Sequence, residues 1–115
     1  MRICIPSEGK NLNSKVGEHF GRAPYYIIFD LIKNEMKVIP NMSRHMGGEG
    51  YPPEIMNREG IDVLVCRNLG RRALNMFKEF RIDVYVGAEG TVRDAIKLFQ
   101  KGELKKAEER DACVR

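Results

Sequence analysis

The chain has 115 residues, enough for one domain and too few for two independent cores. Apolar residues make up 43% and charged residues 31%, the balance of an ordinary globular protein. The net charge of +4 arises from 20 Lys and Arg against 16 Asp and Glu, and the two signs are interspersed. That excludes the one-signed stripe of a nucleic-acid binder. Cys4, Cys66 and Cys113 are too few and too far apart for a disulfide framework or a closed zinc site. The longest apolar run, Tyr25 to Phe29, is far short of a membrane span. Arg2 leads into a strand-like segment that soon meets Pro6, Ser7 and Glu8, so no secretory leader is expected. The expectation is a reduced, cytoplasmic protein with no nucleic-acid or membrane partner.

In chain order, the first predicted strand is Arg2–Pro6. A long loop from Ser7 to Ala23 follows, with no convincing helix. Pro24–Leu31 and Glu35–Ile39 are the second and third strands. The Lys33-Asn34 link between them is too short for a crossover, so they form an antiparallel hairpin. Pro52 and Pro53 open a helix that Gly60 closes. Asp62–Cys66 is a fourth strand, and Arg71 to about Phe80 a second helix with Ala73, Leu74, Phe77 and Phe80 on one stripe. Ile82–Val86 is the fifth strand. Thr91, with Asp94 three residues on, starts a third helix that Gly102 stops. Residues 1–104 form the domain, and 105–115 read as a charged, frayed tail.

The order is βββαβαβα. Right-handed crossovers make strands four and five parallel to strand one, giving a mixed five-stranded α/β sheet of order 3-2-1-4-5. Loops 7–23, 40–51, 67–70 and 87–90 then emerge at one edge, outside the carboxyl ends of the parallel strands, where open α/β sheets bind ligands. Both histidines and nine of the eleven glycines fall in these loops.

His19, in His19-Phe20-Gly21-Arg22, is a candidate metal ligand, and Arg22 could neutralise an anion beside it. A histidine bonded to its own loop is the alternative. His45 lies in a loop where Gly47, Gly48 and Gly50 could bring backbone N–H groups close to a ligand, and Met42 and Met46 add thioethers. A polar linker explains the same string. Cys66 ends strand four at this edge and reads either as a thiolate ligand or as a small buried hydrophobe. Cys4 reads as core and Cys113 as exposed. The helix beginnings after Gly70 and Gly90 face the edge, and each would offer open N–H groups to an anion, although turn chemistry alone accounts for both glycines. Neither GxGxxG nor GxxxxGK[ST] occurs, so no nucleotide loop is expected. Strand one carries no acid for a magnesium nuclease and no GxSxG elbow exists, so an enzyme is not expected.

Four strings carry a family resemblance: HFGRAPYYIIFD (His19–Asp30), GIDVLVC (Gly60–Cys66), LGRRAL (Leu69–Leu74) and GAEGTVRDAIKLFQKGEL (Gly87–Leu104). Over about residues 1–104 the chain resembles the dinitrogenase iron–molybdenum cofactor biosynthesis family, the NifX/NifB type of cofactor-binding domain. The resemblance implies a ribonuclease H-like, nitrogenase accessory factor-like fold without the nuclease acids. It also implies binding or carriage of iron–molybdenum cofactor or an iron–sulfur precursor, with cofactor-assembly proteins as partners. His19 matches the histidine implicated in cofactor binding in some members. Members often show a glycine pair after strand four, where this chain has Arg67 and Asn68. The expected function is a metallocluster carrier with His19, Cys66 and His45 as candidate metal ligands. The alternative is a metal-free regulatory or scaffold module that binds a protein partner or a small anion.

Overall fold

β1 (Arg2–Ser7) is buried along most of its length because both of its faces are covered. A computed structural model describes residues 1–41 and 52–108 of the chain. β2 (Tyr25–Asp30) pairs antiparallel with β1, and β3 (Glu35–Pro40) antiparallel with β2. Their turn is built by Asp30, whose carboxylate accepts the N–H groups of Ile32 and Lys33. Those bonds favour the charged form and hold its carboxyl below the usual range, the Lys33 bond most of all. Asn34 closes the turn at φ 57°, a conformation that asparagine tolerates.

α1 (Pro52–Arg58) leads to β4 (Val63–Val65), α2 (Arg71–Glu79) to β5 (Asp83–Val86), and α3 (Val92–Gln100) follows. β4 pairs parallel with β1 and β5 parallel with β4, the crossovers expected from the interleaved helices. The five-strand expectation needs one correction. β6 (Lys105–Lys106) adds an antiparallel sixth strand on β5, so the order is β3-β2-β1-β4-β5-β6. The start of the expected charged tail is therefore part of the sheet, and Ala107 beyond it is buried with its N–H on the Val84 carbonyl.

Alternation along the strands divides the core in two. Cys4, Tyr26, Ile28, Leu64 and Cys66 point to one face, where Met56 of α1 and Leu74 and Phe77 of α2 cover them. Ile3, Ile5, Ile27, Val63 and Val65 point to the other, under Val92, Ala95 and Ile96 of α3.

The start of α3 is a complete capping box. The Thr91 hydroxyl accepts the Asp94 N–H at 3.1 Å, and the Asp94 carboxylate accepts the Thr91 N–H at 3.0 Å. Replacing Thr91 with Ala is expected to cost about 1 kcal/mol in urea unfolding, the ordinary value of a threonine cap. An unchanged midpoint would contradict the cap's role.

Candidate functional site

β1, β3, β4 and β5 all run toward the same edge, so the loops that leave them share it, as connectivity requires. The glycine-rich loop with His45, Gly47 and Gly48, and Cys113 in the tail, lie outside the described residues. His19, Arg22, Cys66, Gly70 and Gly90 are placed.

Phe20–Arg22 forms a single 3-10 turn with His19 at its N-cap in extended conformation. Phe20 is the anchor. Its ring is 3% exposed, 5.5 Å from the Tyr26 ring and 5.3 Å, edge-on, from that of Phe77 in α2. Driving Phe20 inward leaves the residues around it, His19 and Arg22, exposed. Two buried polar side chains tie the turn down from beneath. The Tyr26 hydroxyl donates to the Phe20 carbonyl at 2.8 Å. The Asn41 amide donates to the carbonyls of Gly21 (3.0 Å) and Ala23 (2.8 Å) and to the Tyr26 oxygen (3.2 Å). Burial, with Cys4 adding to it, pushes the Tyr26 hydroxyl far above the usual phenol range, so it stays a donor. Sequence reading assigned no role to Asn41 or Tyr26. The available signal was the tyrosine within an apolar strand, since a buried hydroxyl must find a partner.

The preceding loop crosses the edge under tight constraint. Gly17 donates to the Pro6 carbonyl at 2.8 Å, and a Cβ at Gly17 would lie 2.8 Å from that of Ala23. Only glycine permits that approach.

The two helix beginnings differ, which corrects the expectation that both offer open N–H groups. At α3 the N–H groups of Val92 and Arg93 donate to the carbonyls of Ser14 and Leu12, and that of Asp94 to Thr91. Gly90 is at φ +84°, and its carbonyl accepts the Val16 N–H. The loop has sealed this end. At α2, Gly70 is the N-cap and provides no side-chain cap. The Phe20 ring meets Phe77 in the last turn of α2, so the 3-10 turn packs on the face of the sheet that α1 and α2 cover.

Arg22, Arg67 and Arg71 are exposed there and have no acidic partner among the described residues. The loops also carry exposed Glu8, Glu18 and Glu89. Glu8, whose N–H donates to Lys15, and Glu89, next to Gly90, belong to the α3 side. Cys66 is 0% exposed and packs in the α1–α2 core beneath the edge. Cys4 is equally buried and donates to the Met56 sulfur at 3.1 Å. Burial, then the neighbouring Cys66 and Glu59, pushes the Cys4 thiol well above its ordinary value, so it is an unreactive core group. No group of three or more His, Cys, Asp or Glu able to hold a metal ion occurs among the described residues.

A mixed sheet whose parallel strands end at one rim, with a histidine and an arginine exposed in the loops there, has the layout of the open α/β domains. Residues 1–102 match the family described as dinitrogenase iron-molybdenum cofactor, and the chain belongs to it. It is 31% identical over 113 residues to an uncharacterized protein of Methanocaldococcus jannaschii, covering 94% of this chain and 92% of that one. Among solved structures, a Thermotoga protein provisionally assigned as NifB is 33% identical, with a TM-score of 0.76 and 91% of each chain covered. The apo form of the orange protein from Desulfovibrio gigas is 25% identical, with a TM-score of 0.85 and 92% of each chain covered. No helix among the described residues is long and apolar enough to cross a membrane.

Proposed function

We propose that this chain is a cytoplasmic binding and carrier protein for an anionic iron–sulfur-type metallocluster, iron–molybdenum cofactor or a precursor of it, in cofactor assembly. The observation that carries the reading is positional: the turn bearing His19 and Arg22 packs on the α1–α2 face, α2 starts from the same edge without a side-chain cap, and the α3 start is sealed. His19 would ligate the cluster through neutral imidazole. Arg22, Arg67 and the N–H groups that follow Gly70 would offset its negative charge. His45 is the candidate second imidazole, with Gly47 and Gly48 supplying close backbone. Cys66 could join only after its cover in the core opened. Gly90 serves the fold of the edge rather than the cargo. A carrier is suited by few protein ligands, because transfer requires coordination that can be released. On this reading the protein performs no reaction, and its partners are the cofactor-assembly proteins that load and unload it. The first five strands, in order 3-2-1-4-5, support the ribonuclease H-like description.

The test is anaerobic titration with isolated iron–molybdenum cofactor, followed by visible absorption and electron paramagnetic resonance. His19→Ala is expected to weaken binding at least tenfold while stability changes by less than about 0.5 kcal/mol, as for an exposed side chain. Unchanged binding would remove His19 as the ligand.

A further inference from the structure

At the opposite edge of the sheet, where β5 begins, lies a groove, and the backbone marks one of its residues. A groove of ≈ 250 Å³ lies between the end of α2, β5 and β6. Leu74, Ile82, Val84 and Ala107 give it apolar walls, and Lys78, Arg81, Lys106 and Asp83 complete the lining. Asp83 is paired with Lys106 at 3.3 Å. Lys78 and Arg81 have no acidic partner among the described residues, so the lining carries two unneutralised cations.

All three helices leave through the same backbone motif, in which two successive N–H groups turn back onto the last helical turn. After α1 these are Gly60 to Asn57 and Ile61 to Met56, and after α3 Gly102 to Phe99 and Glu103 to Leu98. After α2 they are Arg81 to Lys78 and Ile82 to Phe77. The left-handed residue is glycine in the first two cases, at φ +71° and +70°, and Arg81 in the third, at φ +60°. Glycine adopts this conformation without strain and arginine does not. The chain therefore keeps an unfavourable residue at the helix exit that lines this groove.

We infer that the groove binds a small organic carboxylate, its compact apolar body against Leu74, Ile82, Val84 and Ala107 and its charge on Arg81 and Lys78. The volume is below the roughly 300–1,000 Å³ of drug-sized sites, which fits a single ring or a short branched chain. Charge complementarity selects the anion, since a neutral analogue would leave both cations unmatched. The site lies at the far end of α2 from His19 and is independent of cluster binding.

The test is nuclear magnetic resonance titration of the full chain with benzoate and, separately, with neutral benzyl alcohol. Benzoate is expected to shift the amide signals of Lys78, Ile82, Val84 and Ala107 saturably and to bind at least fivefold more tightly than benzyl alcohol. Arg81→Gly is expected to remove that preference while raising the thermal midpoint by about 4 °C, because the strained exit becomes a relaxed one. Arg81→Lys should retain most of the preference. Equal binding of the two probes, unchanged benzoate affinity in Arg81→Gly, shifts centred elsewhere, or a lower midpoint in Arg81→Gly would each overturn the assignment.

Discussion

Phe20→Ala is expected to lower the unfolding free energy by about 3–5 kcal/mol, the ordinary cost of deleting a buried phenylalanine ring. The reason is local. Phe20 fills the space between Tyr26 of β2 and Phe77 of α2, so its loss opens a cavity that two aromatic neighbours line and neither can fill. A domain of this size has about 5–15 kcal/mol in all, so the variant should remain folded at low temperature but with a much reduced urea midpoint. Phe20→Leu keeps most of the volume and should cost less than about 1.5 kcal/mol. Cofactor binding should fall in Phe20→Ala even under conditions where it is folded, since the turn that carries His19 and Arg22 is anchored by the Phe20 ring. A loss below about 1 kcal/mol would show that the turn is not anchored as described.

The second large effect is expected at Asn41. Its amide group supplies two backbone carbonyls and the Tyr26 oxygen from a buried position. Asn41→Ala leaves the carbonyls of Gly21 and Ala23 short of a donor, at about 1–3 kcal/mol for a buried group left unsatisfied. Tyr26→Phe removes the donor to the Phe20 carbonyl and an acceptor for Asn41. The two losses share a bond, so the double variant should be more stable than the sum of the singles predicts, by at least 0.5 kcal/mol in a double-mutant cycle. Strict additivity would mean that the two side chains hold the turn independently.

Much of this architecture is legible from residues alone, and the exceptions have physical causes. Strands β1 to β5 are apolar runs bounded by turn chemistry, and the intervening helices force parallel pairing, so the order of those five follows. β6 escapes the same reading because two lysines on a sheet edge carry no apolar alternation; only the burial of Ala107 beyond them betrays it. The common edge for His19, Arg22, Gly70 and Gly90 is a consequence of strand direction and needs no side-chain knowledge. The closure of the α3 start is invisible in sequence because its partners are main-chain carbonyls of Leu12 and Ser14 in an irregular loop. Cys66 is buried in the core that Phe20, Tyr26 and Phe77 also build, a tertiary arrangement that position at a strand end does not encode. Asn41 directly follows β3, and only the folded turn shows what its amide holds.

The most direct measurement is the map of backbone amide signals broadened when isolated iron–molybdenum cofactor is added anaerobically to the protein. Broadening centred on His19 to Arg22 and on Arg67 to Ala73, with Ser14 to Val16 and Val92 to Asp94 spared, is the predicted result. Broadening centred on the start of α3, or confined to the far edge around Arg81 and Lys106, would contradict it.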